Sequence, residues 1–224
     1  MTELNHIAFI MDGNGRWGLK KKNNRNYGHL AGVKTVQKIV EAAIFFKIPI
    51  VTFYVFSSEN WKRPKSEINY LFSLIKIYFK KEINNIIKNK IKINILGRKN
   101  DLPKEINESL LSAVKKTKKN NKLTINLAIN YGSKNEIIDS IRKVNSKTKK
   151  INETSIGSNF YINLPFPDIL IRTGGKKRLS NFMLWQLAYT EIFFLDKLWP
   201  DFSKNDLNNV IKKFHKIKRN FGGV

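Results

Sequence analysis

Arginine is the scarce cation of this 224-residue chain, eight against 34 lysines, and Arg16, Arg25, Arg63, Arg172 and Arg178 fall in three Gly-, Trp- or Ser-containing blocks. Where lysine is the easy cation, arginine implies a need for a planar fork of donors that engages phosphate oxygens two at a time. The first block is Asp12-Gly13-Asn14-Gly15-Arg16-Trp17. Its glycines let backbone N–H groups approach an anion, and Arg16 adds charge-assisted bonds. A lone carboxylate would repel phosphate, so Asp12 beside this cradle points to a divalent metal bridging the two. Gly13, Gly15 and Gly18 also satisfy the dinucleotide pattern G-x-G-x-x-G. Context argues against that reading, because Leu19 to Asn26 has no apolar period and predicts no helix directly after the glycines, and no acidic residue follows until Glu41.

The second block, Phe56-Ser57-Ser58-Glu59-Asn60-Trp61-Lys62-Arg63-Pro64, supplies hydrogen-bonding groups (Ser57, Asn60, Arg63) and apolar walls (Phe56, Trp61). The third, Ile171-Arg172-Thr173-Gly174-Gly175-Lys176-Lys177-Arg178-Leu179-Ser180-Asn181, again follows a strand and, with two arginines, two glycines and a serine, forms another anion cradle. Farther on, Glu191 stands in a run with Phe193 and Phe194, where it could complete a metal site. Two anion sites imply two phosphorylated substrates.

These blocks need a frame that brings them together. Strand-like runs occur at His6 to Met11, Ile48 to Phe56, Ile91 to Leu96, Leu123 to Asn130, Asp168 to Arg172 and Glu191 to Leu195. Helical spacing links Val33, Val36, Val40, Ala43 and Ile44, and again Leu207, Val210, Ile211, Phe214 and Ile217. Ser133 with Glu136, and Ser203 with Asp206, resemble N-terminal capping pairs. The alternation predicts one α/β domain over residues 1–224, a mostly parallel six-stranded sheet flanked by helices, with ligands at the carboxyl ends of the strands. Asn145 to Gly157 reads as a surface connection. The segment Ile68 to Ile87 carries an apolar stripe wider than one sheet face requires, which suits either a buried helix or one edge of an apolar cavity.

Composition removes other classes. The absence of cysteine excludes disulfides and thiolate chemistry, and histidines only at 6, 29 and 215 make a zinc site improbable. No apolar run is long enough to span a bilayer and no secretory signal is visible, so a cytoplasmic location is expected. The net charge of +25 could serve polynucleotide binding, yet an AT-rich coding sequence would yield the same lysine and asparagine bias without any binding role.

The three blocks, with Gly28-His29-Leu30-Ala31-Gly32, Asn130-Tyr131-Gly132 and Leu198-Trp199-Pro200-Asp201-Phe202, resemble the cis-prenyltransferase family, its bacterial undecaprenyl diphosphate synthase branch most closely. The resemblance covers nearly the whole chain. It implies repeated condensation of isopentenyl diphosphate onto farnesyl diphosphate with Mg²⁺, giving a long-chain polyprenyl diphosphate that serves cell-wall peptidoglycan synthesis, and no nucleic-acid partner. By position it makes Asp12 catalytic and, with Glu191, metal-binding. Gly13, Asn14, Gly15, Arg16, Arg25 and His29 would hold the allylic diphosphate, and Arg172, Arg178 and Ser180 isopentenyl diphosphate. Trp17, Phe56, Ser57, Ser58, Glu59, Trp61, Arg63 and Glu67 would place the substrates. Asn60 matches the position credited as proton acceptor, but an amide is a poor base, so orientation by Asn60 and proton transfer to diphosphate are expected instead. The Ile68 to Ile87 stripe becomes tunnel lining, with Ile86 deep along it. The family also implies a homodimer, for which the aromatic run Phe182 to Phe202 could supply an interface, and peripheral membrane association. Lys177 departs from the family pattern, and Arg219 to Gly223 does not cleanly carry the Arg-x-Gly tail of some relatives.

Overall fold

The computed structural model describes residues 3–146 and 150–219, and the expected C-terminal tail beyond Arg219 lies outside them. Continuous runs such as His-Ile-Ala-Phe-Ile are buried on both faces, the signature of a parallel sheet covered on each side. All six strands form: β1 (His6–Ile10), β2 (Ile50–Ser57), β3 (Ile91–Leu96), β4 (Leu123–Tyr131), β5 (Ile169–Arg172) and β6 (Glu191–Phe194). They make one parallel sheet in the order β3-β4-β2-β1-β5-β6. Chain addition proceeds on one side of β1 as far as β4 and then reverses to place β5 and β6 on the other. Ligands of open α/β sheets bind at such a reversal, beyond the carboxyl ends of the strands.

The helices are α1 (Asn14–Lys22), α2 (Arg25–Phe45), α3 (Lys65–Lys88), α4 (Lys104–Thr117), α5 (Ser133–Asn145), α6 (Glu153–Gly157) and α7 (Lys204–Phe214). One sheet face, with Ile7, Phe9, Val51, Phe53, Ile125 and Ile171, packs on α2, α3, α4 and α7 to form the main core. The other face, with Ala8, Ile10, Ala128 and Leu170, is closed by Tyr131, Phe182, Met183 and Leu187, so much of its cover is turn-rich chain rather than helix.

Three local expectations change. A helix does follow the first glycines at once. α1 hides from apolar periodicity because it docks through buried Gly15 and Gly18: a Cβ on Gly18 would lie 2.6 Å from the Gly28 nitrogen, so α1 and α2 touch backbone to backbone. The Ser133–Glu136 pair does not cap α5, whose first turn lacks a side-chain cap; the Glu136 carboxylate is buried instead, accepting from Tyr131 Oη (2.5 Å) and Gln186 Nε2 (2.9 Å). Ser203 and Asp206 do form a capping box on α7. Finally, the surface connection contains the short helix α6, and its residues 147–149 lie outside the described chain.

Candidate active site

The first two blocks and the third meet at the carboxyl edge of the sheet, where β1, β2 and β5 end. β1 stops at Ile10, and the chain turns at Gly13, whose φ of 112° lies in the left-handed region that favours glycine. That turn starts α1 with no side-chain cap and no acidic residue in its first turn, so the helix presents free N–H groups and the positive end of its dipole. β2 ends in two register shifts, between Tyr54 and Ser57, opposite Ala128 to Tyr131. Bulges of this kind re-aim side chains next to sites, and here Tyr54, Val55, Phe56 and Ser57 all line one cavity.

The cavity encloses about 430 Å³. Its polar mouth is lined by Asp12, Gly13, Asn14, Gly15, Arg16, Arg25, His29, Ser57, Asn60, Arg63, Arg172, Arg178 and Ser180, and its interior by Val33, Val36, Phe56, Leu71, Leu74, Ile75, Tyr78, Phe79, Leu127 and Ile129. The expected stripe therefore divides. Leu71, Ile75, Tyr78 and Phe79 reach the cavity, whereas Ile68, Phe72 and Ile86 pack into the core. Ile86 is thus the wrong position from which to obstruct the space; Ile75 is on the wall.

Asp12 is the electrostatic hinge of the mouth. Its Oδ2 accepts from buried Arg172 Nη2 at 2.8 Å and its Oδ1 from Arg16 Nη2 at 3.2 Å. Arg172 also donates through Nη1 to Ser180 Oγ (2.8 Å) and to the Arg178 carbonyl, while its buried Nε has no partner. Arg16 further donates to the Gly174 carbonyl at 2.7 Å. Two arginines, one carboxylate and an unused donor make a site for an oxyanion, because a buried N–H without a partner is costly until something accepts from it.

Glu67, at the start of α3, gathers the cations of the opposite wall. It accepts from Arg25 Nε (3.0 Å), His29 Nε2 (3.1 Å) and Arg63 Nη1 (3.1 Å). Burial alone would raise its pKa, but the Arg25 and His29 hydrogen bonds and the Arg63 and Arg25 charges prevail and hold it below the usual range. Burial lowers His29, reinforced by the two guanidinium charges and opposed by Glu67. A carboxylate only accepts, so Nε2 carries the His29 proton and Nδ1 keeps its lone pair.

Of the other expected residues, Trp17 stacks on Tyr27 and donates to Asp201 (2.7 Å), and Trp61 donates to Asn130 (2.8 Å) while packing on Phe56 and Phe72. Ser58 lies behind the mouth against Gly132, and Glu59 accepts from Asn181 (2.7 Å). Asn60 Oδ1 accepts from the Ser57 N–H (3.2 Å) within a capping box, a tie that fixes the turn Ser58–Lys62.

Glu191 stands apart from Asp12 within this chain. It pairs with Ile169 at the amino end of β5, whereas Asp12 lies beyond Ile10, which pairs with Arg172 at the other end. The offset is about five strand residues, roughly 16 Å, and Glu191 faces Arg219 (3.7 Å). A single chain therefore does not bring the two carboxylates onto one metal, and among the described residues there is no cluster of three or more His, Cys, Asp or Glu that could hold one. Asp12 alone still fits Mg²⁺, which is commonly held by one or two carboxylates together with substrate phosphates. Sequence reasoning missed Tyr54, and although Thr173 and Asn181 stand in the third block it gave neither a role; Thr173 donates to the Asp12 carbonyl (2.8 Å) and Asn181 to Glu59 (2.7 Å). The left-handed backbone at Asn181 leaves no signal in periodicity, and the bulge that turns Tyr54 into the cavity leaves none either.

Comparison with known proteins gives a consistent result. The family model described as "Putative undecaprenyl diphosphate synthase" matches residues 10–222. The chain is 42% identical to an isoprenyl transferase of Fusobacterium nucleatum, covering 98% of this chain and 96% of that one. It is 45% identical to an isoprenyl transferase of Rickettsia bellii, covering 99% of each. A probable undecaprenyl diphosphate synthase from Campylobacter jejuni superposes with a TM-score of 0.86 at 36% identity over all of both chains. Lavandulyl diphosphate synthase from Lavandula x intermedia, solved in complex with dimethylallyl diphosphate, superposes with a TM-score of 0.93 at 29% identity over 98% of each.

Proposed function

Since this chain belongs to the undecaprenyl diphosphate synthase family and is an isoprenyl transferase, we propose that it extends farnesyl diphosphate with successive isopentenyl diphosphates to undecaprenyl diphosphate, the lipid carrier precursor for peptidoglycan. The observation that carries this reading is one cavity that joins a cationic mouth with five arginines to an apolar interior. The mouth suits two diphosphates, and the interior suits a growing hydrocarbon.

In this reading Gly13, Asn14, Gly15, Arg16, Arg25 and His29 hold the allylic diphosphate at the start of α1, and Arg172, Arg178 and Ser180 hold isopentenyl diphosphate. Ionisation of the allylic ester leaves negative charge on the departing diphosphate, and fixed cations stabilise it where it develops. Mg²⁺ held by Asp12, when bound, neutralises further charge on that group. Trp17, Ser58, Glu59, Trp61 and Glu67 act from behind the mouth, Glu67 by presenting Arg25 and Arg63. Phe56, Ser57 and Arg63 place the reacting carbons. Asn60 orients through its tie to Ser57; as the allylic C–O bond breaks, the isopentenyl double bond forms the new C–C bond to the allylic carbon, and a diphosphate oxygen takes the proton that the isopentenyl C2 loses.

The homodimer and peripheral membrane association belong to the same proposal. Phe182, Trp199 and Phe202 are core residues, whereas Tyr189, Ile192 and Phe194 expose apolar surface along the edge strand β6, which suits a second copy. Among the described residues no helix is long and apolar enough to cross a membrane, and a cytoplasmic enzyme touching an anionic lipid surface through its lysines accords with that.

The test is product sizing: purified protein with labelled isopentenyl diphosphate, farnesyl diphosphate and Mg²⁺ should yield chains of about eleven isoprene units. Replacing Ile75 by Trp on the cavity wall should shorten them. A single condensation product, or dimethylallyl diphosphate as the preferred acceptor, would overturn the chain-length assignment.

A further inference from the structure

We propose that Asn181 is a positioning residue that holds the isopentenyl diphosphate cradle in register with the Ser57–Asn60 turn, an inference that rests on the substrate assignment above. Ser180 and Asn181 both have left-handed backbone conformations, with φ of 51° and 60°. Side chains other than glycine seldom adopt them, Asn more readily than most, and they persist where the surroundings over-determine the chain. Asn181 is held from three directions. Its Nδ2 donates to Glu59 Oε1 (2.7 Å), its Oδ1 accepts from the Lys134 N–H (3.0 Å), and its carbonyl accepts from the Ser133 N–H (2.8 Å). The segment after β5 is thereby tied both to the turn after β2 and to the start of α5. The fit is tight, since a Cβ on Gly132 would come within 2.7 Å of Asn181 Nδ2 and 2.5 Å of Ser58 Oγ.

The residue so positioned is Ser180. Its Oγ accepts from Arg172 Nη1 at 2.8 Å, and its carbonyl accepts from the Tyr54 hydroxyl at 3.2 Å. Arg172 is buried and forked between Ser180, the Arg178 carbonyl and Asp12, so a shift of residues 180 and 181 re-aims its guanidinium. The cations assigned to the allylic diphosphate have anchors outside residues 180 and 181: Arg16 donates to the Gly174 carbonyl as well as to Asp12, which it shares with Arg172, and Arg25 and His29 are held by Glu67. Loss of the Asn181 amide should therefore fall on one substrate and spare the other.

The test is steady-state kinetics with each substrate varied in turn, on Asn181→Ala, Asn181→Asp, the double variant Glu59→Gln/Asn181→Asp, and Arg172→Ala. Asn181→Asp sets two carboxylates against each other, and the double variant restores one donor and one acceptor while still accepting from Lys134. The KM for isopentenyl diphosphate should rise about tenfold in both single variants, that for farnesyl diphosphate should change less than about threefold, and the double variant should have a KM for isopentenyl diphosphate at least about threefold below that of Asn181→Asp. Equal losses on both substrates, an unchanged KM, or failure of the double variant to recover would overturn the positioning role. Arg172→Ala separates the two levels of the argument. If it too leaves the isopentenyl diphosphate KM unchanged, the substrate assignment fails; if it alone raises it, only the role of Asn181 does.

Discussion

The two ends of this sheet handle buried polarity in opposite ways. Toward the amino end, a chain of hydrogen bonds crosses four strands with every direction accounted for. Asn94 Nδ2 donates to Asn126 Oδ1 (3.0 Å) and Asn126 Nδ2 to Thr52 Oγ1 (2.9 Å); the Thr52 hydroxyl meets His6 Nε2 (2.7 Å), and His6 Nδ1 meets the Pro165 carbonyl (2.7 Å). The carbonyl can only accept, so Nδ1 carries the histidine proton and Thr52 donates to Nε2. Asp168 accepts from the Asn5 and His6 N–H groups and from Arg219. At the carboxyl end Arg172 Nε and Asn14 Oδ1 are buried without partners, the left-handed residues Ser180, Asn181 and Met183 cluster, and four arginines converge on two carboxylates while Arg178 lines the same cavity. Satisfied polar networks specify a fold, whereas unspent donors beside a cavity specify a ligand. The contrast separates structure from function without reference to residue type, since both ends are rich in polar side chains.

The contrast can be broken by substitutions that should move activity at one end and stability at the other. The largest effect is expected from Arg172→Ala, which should lower kcat/KM for isopentenyl diphosphate about 10³-fold with little change in melting temperature; a large fall in melting temperature with activity retained would reverse the assignment of the two ends. Next is the pH dependence of His6, whose pKa burial lowers from 6.5 to about 4 against the opposing Pro165 hydrogen bond and Asp168 charge. The unfolded chain takes up that proton first, so stability is full above about pH 6.5 and falls as pH drops toward 4, by on the order of 3 kcal/mol. Urea titrations at a series of pH values should show this slope, and His6→Gln should flatten it. Smaller again, Thr52→Val strands Asn126 and His6 and should cost about 1–2 kcal/mol of stability, read by the same titrations, while kcat stays unchanged.

Much of the frame was legible because its signals are simple. Runs such as Ile-Val-Thr-Phe-Tyr-Val-Phe, rich in β-branched and aromatic residues, read as buried strands, and their ends predict where the arginines gather. Strand membership does not say at which end a residue sits, so nothing in the run Glu191 to Leu195 separates Glu191 from Asp12, although the two lie at opposite edges of the sheet. α1 was hidden because glycine, not an apolar stripe, docks it. Glu136 looked like a cap because spacing alone cannot distinguish an N3 carboxylate turned to its own helix from one turned inward to Tyr131. Asn181 and Tyr54 act through a strained turn and a bulge, and both devices emerge only when distant segments are packed together.

The most direct test compares the unmodified protein with Asp12→Ala, at matched thermal stability, for Mg²⁺-dependent incorporation of labelled isopentenyl diphosphate onto farnesyl diphosphate. If the carboxyl edge is the transfer site, the first should elongate chains and the second should fall by about a thousandfold or more. Undiminished elongation by Asp12→Ala, or none by the folded unmodified protein, would contradict the account.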